Sequence, residues 1–390
     1  MLHLSGINTT CPQRTDRPSE VAPIRLGIVG CGGISDRHAR AAADSPEVAI
    51  VACCDVRVGV AEGWSRRYGC ERAYGDYLSM IREHELDGVL LATWPSQHRE
   101  QILGCLQAGV RRILCEKSLA LNADEALEIW TATEQAGALV VEAFMYRHHP
   151  AIRKIDELLA AGEVGKIDNI RASFSLFDPE ESSPDDVGRD WRQRKECGGG
   201  VPYDLACYCI DACNRLARTL PKQVLAVAGT SNQYDTVDRL YGVIEYEGGL
   251  VGIIESSKRS DFNHELKISG ARGHILLPVA WRIESSTEVL LCRSTGWGEF
   301  QTARLPIPAV DPYRLQLERF AAAVRGAATP MPALAESVVT ALTIEALLAS
   351  AAPPSHRVGV TAGLVRRLLA ATEVERDAED ERGESDVPAA

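Results

Sequence analysis

No stretch of this chain approaches the ~20 consecutive apolar residues that span a bilayer. Its amino end, "MLHLSGINTTCPQRTDRPSE", lacks the apolar core of a signal peptide and is expected to be a polar, disordered leader over residues 1–22. Positive charge is in deficit: 42 Lys and Arg stand against 54 Asp and Glu, a net charge of −12. No basic stripe is present to neutralise phosphates along a duplex, which argues against nucleic acid as a partner, as the apolar runs argue against a membrane. None of the 12 cysteines forms a CxxC pair, so neither zinc nor another metal is expected. Those inside apolar runs (Cys53, Cys54, Cys105, Cys115, Cys207, Cys209 and Cys213) read as reduced, buried residues of a cytoplasmic protein. No internal repeat or low-complexity tract precedes the charged end, "TEVERDAEDERGESDVPAA", which is expected to be disordered over 372–390.

What is present is ordinary globular material, 45% apolar and 25% charged, in a chain of 390 residues that is long enough for two domains. From Ile24 to about Ala143, "IRLGIV", "VAIVACC", "DGVLLA", "RRILCE" and "ALVVEAF" are strand-length apolar runs of the kind covered on both faces. Amphipathic helices lie between them. One, "NADEALEIWTATEQAG", has Asn122 placed as N-cap and Gly137 just past its end. This alternation predicts a doubly wound parallel sheet over 23–147. After Pro150 the pattern changes. "KIDNIRASFSLF", "QVLAVAGT", "RLYGVIEYEGG", "LVGIIESS", "HELKISG" and "GHILLP" alternate like an antiparallel or mixed sheet with one covered face, and two helices finish the fold.

The first strand runs into "GCGGIS". Gly30 suits a tight turn, Gly32 lets backbone approach a pyrophosphate, and the helix opening near Ile34 attracts its charge. Gly33 continues the loop, and Ser35 stands where a third small residue is needed. The second strand ends at Asp55, the acidic position that accepts adenosine ribose hydroxyls and repels a 2′-phosphate. NAD is therefore the expected cofactor, while Arg57, two residues on, keeps NADP open.

Three further stretches, "LLATWPSQHREQ", "RRILCEKSLAL" and "CGGGVPYDLACYCIDACNRL", follow in order. With the glycine loop, they resemble the glucose–fructose oxidoreductase, inositol dehydrogenase and rhizopine-catabolism (Gfo/Idh/MocA) superfamily over roughly Ile24 to Arg366. The tyrosine-bearing helix and "EAFMYRHHP" look most like the branch of xylose dehydrogenases, dihydrodiol dehydrogenases and sugar 3-ketoreductases. The resemblance implies an α/β chain: an N-terminal Rossmann sheet plus a C-terminal α+β domain, 148–371, with a large open mixed, mainly antiparallel sheet. Its last helices would pack back on the first domain. It implies that Gly30, Gly32, Gly33, Ile34, Ser35 and Asp55 hold the cofactor, that Thr93, Pro95 and His98 lie beside its nicotinamide half, and that Glu116 and Lys117 form the Glu-Lys-Pro motif. Asp204 and Tyr208 match the catalytic helix, and Trp191 with Arg192 match a pair reaching cofactor or substrate. Members commonly pair through the second sheet, so a homodimer or homotetramer is expected. Two departures stand out: Ser118 replaces the motif proline, and Trp94 is bulky where small residues are usual.

Oxidising a secondary alcohol needs a base for its proton beside a hydride acceptor. Tyrosine ionises near ~10, and a nearby ammonium lowers that value. The expected roles are therefore Tyr208 as general acid/base and Lys117 as the group that binds the oxygen and tunes the phenol. Asp204, one helical turn before Tyr208, would hold a neighbouring hydroxyl or the lysine. A packed core tyrosine and a solvated lysine are the competing readings. Arg147 and Asp190 are expected at substrate hydroxyls from their place beside these segments, Asp211 in a cap or structural pair, and His148 with His149 at the surface. The function expected is NAD(P)-dependent hydride transfer at a secondary alcohol or ketone of a sugar, cyclitol or sugar derivative. The alternatives are a non-catalytic dinucleotide-binding regulator of the same fold and an NAD-dependent glycosidase.

Overall fold

A computed structural model describes residues 22–177 and 190–360. The expected leader and acidic tail lie outside these residues, apart from Ala22. Six short strands form the first sheet: β1 (Ile24–Val29), β2 (Val48–Cys54), β3 (Arg72–Tyr74), β4 (Gly88–Leu91), β5 (Arg112–Cys115) and β6 (Leu139–Glu142). All neighbours are parallel, in the order β3-β2-β1-β4-β5-β6. The apolar runs are buried because helices cover both faces: α1 (Gly33–Ala43), α2 (Val58–Tyr68), α3 (Tyr77–Glu83), α4 (Pro95–Gln107) and α5 (Ala123–Ala136). Local chemistry sets the boundaries of α5. The Asn122 side chain accepts from the Glu125 N–H at 2.9 Å, and Gly137 ends the helix in the left-handed conformation at φ 55°.

The second sheet has nine strands: β7 (Ile167–Ser175), β8 (Pro221–Thr230), β9 (Val237–Tyr246), β10 (Val251–Ser257), β11 (Leu266–Gly270), β12 (Gly273–Leu277), β13 (Thr287–Gly296), β14 (Glu299–Ile307) and β15 (Val358–Gly359). Their order is β14-β13-β12-β11-β7-β10-β9-β8-β15, antiparallel except for the parallel pair β7 and β10. The hairpin of β13 and β14 is an addition to the sequence expectation; much of β14 is exposed at the sheet edge. Four helices complete the described chain: α6 (Pro150–Ala160), α7 (Cys207–Ala217), α8 (Pro312–Val324) and α9 (Leu334–Ala351). The last helices return to the first sheet. Leu317 and Phe320 of α8 share a core with Ile28 and Leu90, while α9 packs on α5. By length and composition α9 is apolar enough to cross a membrane, which the run-length reading passed over; here it is mostly buried between α5, α7 and β8.

Of the two histidines expected at the surface, His148 is half-buried and His149 lies inside. His149 is buried and caps α6, its Nδ1 accepting from the Ala151 N–H at 3.1 Å. Burial drives His148 down to about 3 and His149 to about 4. Among the described residues every cysteine is free, and all but Cys70 are buried.

Candidate active site

The carboxyl ends of β1, β2, β4 and β5 open into a cleft of about 1970 Å³, whose other wall comes from the second sheet and its loops. Such a crevice, at the point where strand order reverses, is where open parallel sheets bind ligands. At one end, Gly30 turns the chain with φ 93°, and a Cβ there would come within 2.7 Å of the Ala92 carbonyl oxygen. Among the described residues nothing lies within 4 Å of where Cβ atoms of Gly32 and Gly33 would stand, so bare backbone faces the cleft. Gly32 caps α1 without a side chain, which leaves the first helical N–H groups without an intrahelical acceptor. Ser35 is buried in that turn, its hydroxyl on the Gly32 carbonyl at 2.5 Å. Asp55 lines the cleft and accepts from the N–H groups of Cys31 at 3.2 Å and Arg57 at 2.9 Å. Arg57 is mostly exposed, with Nε 3.4 Å from Asp55. This cradle fits the pyrophosphate and ribose diol of a dinucleotide.

At the other end the two halves of the chain meet. Lys117, just past β5, donates to the Asp204 carbonyl oxygen at 2.6 Å and to its Oδ1 at 3.2 Å. The Lys117–Ser118 peptide is cis, and the lysine reaches the expected helix although Ser118 stands in place of proline. Burial alone would depress the ammonium; the Asp204 charge outweighs it and raises Lys117 above its ordinary value. Asp204, itself buried, is held well below the carboxylate range by Lys117 and then Arg192, whose Nε lies 3.2 Å away. Arg192 also meets Asp190 at 3.2 Å and stacks over the Trp191 ring at 4.9 Å. Lys117, Asp190, Trp191, Arg192 and Asp204 all line the cleft. Trp94 lines it too, 36% exposed, with the Arg194 guanidinium 5.6 Å from its ring centre.

Tyr208 borders the cleft with its ring 5.0 Å from the Lys117 ammonium. Phe144, Tyr146, Phe174 and Trp281 surround that ring at centroid distances of 5.6, 6.0, 5.5 and 6.1 Å. Among the described residues its hydroxyl has only the Met145 sulfur, at 3.7 Å, a weak acceptor. The expectation that Lys117 lowers this phenol is corrected here. Burial raises it well above its ordinary value, and Glu116, Cys207 and Asp204 raise it further. The ammonium is already matched by Asp204, so the phenol is held protonated.

Three further expectations change. Arg147 does not meet the cleft: it is buried, bonding Asp211 through Nε at 2.9 Å and Nη2 at 2.6 Å, and Glu336 at 3.0 Å. Tyr146 shares Asp211 at 2.5 Å, so Asp211 is the structural partner the sequence predicted. His98 lies behind the cleft wall, fully buried, with its ring nitrogens 2.8 Å from the Ser118 carbonyl and 3.2 Å from that of Thr93. Pro95, the first residue of α4, is likewise buried against Gly198 rather than facing the cleft. Thr93 and Glu116 do line it, Glu116 also accepting or donating with His38 Nε2 at 2.7 Å. Sequence reasoning missed Tyr313 at the start of α8 and Met145 and Phe174, all on the cleft wall. Phe174 and Tyr313 carry no motif, and only the return of the chain brings them there; Met145 lies within "EAFMYRHHP", just past β6.

Among the described residues no group of three or more His, Cys, Asp or Glu is placed to hold a metal ion. A dinucleotide cradle that faces a lysine–carboxylate–phenol group across two domains defines an NAD(P)-binding oxidoreductase. The chain belongs to the GFO/IDH/MocA oxidoreductase family: residues 24–144 match its NAD-binding Rossmann domain and 152–276 its C-terminal domain. It is 28% identical over 326 residues to D-xylose 1-dehydrogenase (NADP(+)) 2 of Haloferax volcanii, covering 84% of this chain and 97% of that one. It is 26% identical to the trans-1,2-dihydrobenzene-1,2-diol dehydrogenase of Mus musculus over 66% of this chain and 75% of the other. In fold it is similar to levoglucosan dehydrogenase solved with NADH (TM-score 0.77, 23% identity, 87% of this chain and 99% of that one). A 3-ketoreductase from Actinomadura kijaniata, solved with NADP and TDP-benzene, is also similar (TM-score 0.75, 24% identity, 84% and 97%).

Proposed function

We propose that the protein transfers a hydride between NAD(P) and a secondary alcohol or ketone of a sugar, cyclitol or sugar derivative. The observation that carries this reading is the meeting of Lys117 from the first domain with Asp204 and the Tyr208 ring of the second, inside the cleft that the glycine loop opens. The relatives that act on xylose and dihydrodiols support the substrate class. A bound nicotinamide supplies or accepts the hydride. Of the three ammonium donors of Lys117, two are spent on Asp204, which leaves one for a substrate oxygen. Charge that develops on that oxygen during reduction is stabilised by the ammonium, and the protonated Tyr208 exchanges its weak sulfur contact for it and donates the proton. In oxidation the steps run in reverse: the phenol first gives its proton to solvent, and the phenolate then takes the alcohol proton as the hydride leaves, so that one proton is released per turnover.

Asp55 favours NAD, and Arg57 beside it accommodates a 2′-phosphate once turned from the carboxylate. On the second sheet, Leu225, Val227, Tyr241 and Val243 are exposed and form two directly opposed pairs, Leu225 with Val243 and Val227 with Tyr241. Such an apolar patch supports the expected homodimer or homotetramer through this face. The free thiols support a reducing, cytoplasmic location.

The test is incubation with NAD or NADP and a panel of sugars, cyclitols and dihydrodiols while reduced-cofactor absorbance is followed. Accumulating reduced nicotinamide is the expected result. Glycoside cleavage without it would make the protein a glycosidase, and cofactor binding with no turnover would make it a regulator.

A further inference from the structure

Lys117 leaves β5 on a segment with almost no access to water: Ser118, Leu119 and Ala120 are 3%, 1% and 2% exposed. Buried N–H and carbonyl groups in such a loop must find partners. Here the partners are side chains from four different places. His98 of α4 lies on the Ser118 carbonyl at 2.8 Å, and Glu142 at the end of β6 accepts the Leu119 N–H at 2.7 Å. Glu125 of α5 accepts the Leu121 N–H at 2.9 Å, and the Tyr203 hydroxyl donates to the Leu121 carbonyl at 2.7 Å. Apart from the neighbouring Glu116 carboxylate on the Lys117 N–H, Glu142 is the acceptor nearest the lysine along the backbone.

Glu142 is not on the cleft wall, is 2% exposed, and has a second oxygen, Oε2, that is buried without a hydrogen-bond partner among the described residues. A buried carboxyl so poorly satisfied calls for a reason to be there. We propose that Glu142 is a positioning residue for Lys117: by taking the Leu119 N–H it holds the backbone two residues beyond the lysine, and so sets where the ammonium meets the substrate oxygen. The proposal rests on the reading of Lys117 as the group that binds that oxygen.

The protonation state of Glu142 decides which substitution imitates it. Burial pushes its carboxyl up to about 8, and the Asp211 charge on α7 adds to this, against Arg147 and the Ser337 hydroxyl on α9. At neutral pH Glu142 is therefore the neutral acid. Glutamine has the same shape and charge as that form, and its carbonyl accepts the same N–H. Leucine keeps the volume and removes the acceptor, and aspartate draws the acceptor back by one methylene.

Full-length Glu142→Gln, Glu142→Asp and Glu142→Leu are compared by kcat, KM, cofactor affinity from nicotinamide fluorescence, and hydrogen exchange of the 116–121 amides. Glutamine is expected to keep kcat within about threefold, while leucine lowers it on the order of a hundredfold, the usual cost of misplacing a reacting group by an ångström. Aspartate falls between them. Cofactor affinity stays unchanged in all three, and exchange at Leu119 quickens in the leucine and aspartate variants only. A folded leucine or aspartate variant with wild-type kcat overturns the proposal, as does a glutamine variant as slow as the leucine one. Should leucine prevent folding, the aspartate–glutamine contrast decides by the same criteria. If the wild type turns over no substrate, the functional reading fails, while slow exchange at Leu119 that is lost only without the acceptor still upholds the clamp.

Discussion

Replacing Lys117 by methionine keeps most of the length of the side chain, one atom short, and removes its charge. The geometry sets the size of the effect. One ammonium donor is left for the substrate oxygen after two go to Asp204, and loss of a single preorganised donor to a developing oxyanion costs about 10² to 10³ in kcat, or about 3–4 kcal/mol. Stability falls less than when a buried charge is fully orphaned, because Arg192 remains 3.2 Å from Asp204. About 1–3 kcal/mol is expected, the cost of a lost charge-assisted bond. Cofactor affinity should hold, since the glycine loop and Asp55 bind at the other end of the cleft. Steady-state kinetics, a cofactor titration and a urea melt on the same preparation separate the three quantities. A variant with wild-type kcat, or one whose whole deficit lies in cofactor binding, would refute the assignment of Lys117 to the reacting oxygen. A second check is acid sensitivity. Asp204 is lower in the folded chain than its ordinary value, so the contribution of the pair is complete above about pH 4 and is lost as pH falls below it. The methionine variant should therefore show a shallower acid limb of Tm than the wild type.

Other outcomes follow from neighbouring groups. Tyr208→Phe should slow ketone reduction by about 10² to 10⁴; because burial holds the wild-type phenol above its ordinary value, neither protein should show an alkaline limb from Tyr208 below about pH 10. A wild-type limb that Tyr208→Phe abolishes would show the phenol to be lowered instead. Arg147→Met orphans the buried Asp211 and should cost about 3–5 kcal/mol in a denaturant melt; unchanged stability with a raised KM would return Arg147 to the substrate. Asp55→Asn removes the charge that repels a 2′-phosphate and frees Arg57, and should shift the NADP-to-NAD ratio of kcat/KM by about tenfold toward NADP. An unmoved ratio would place cofactor choice elsewhere.

Much of this molecule was legible along the chain, because the signals were local. Apolar runs covered on both faces made the parallel strands plain, Asn122 and Gly137 marked the ends of α5 by their own capping chemistry, and Gly30 to Gly33 with Asp55 announced a cradle that needs bare backbone beside a strand-end carboxylate. The convergence of Lys117 with Asp204 was anticipated from motif resemblance, not from spacing, as nothing across a sequence separation of 87 encodes a distance.

The tertiary structure alone decided what each charged or polar group faces. Arg147 reads in sequence as a candidate beside a functional segment, but α7 and α9 bring Asp211 and Glu336 to it and close it off from the cleft. His98 and Pro95 belong to a matched motif, yet packing turns them behind the wall, where they hold the lysine loop and α4 rather than a ligand. Tyr313 enters the site from a helix far along the chain. The phenol of Tyr208 shows the physical reason most directly. Its pKa depends on the balance of burial and surrounding charge, and that balance is a property of neighbours in space that no local pattern specifies.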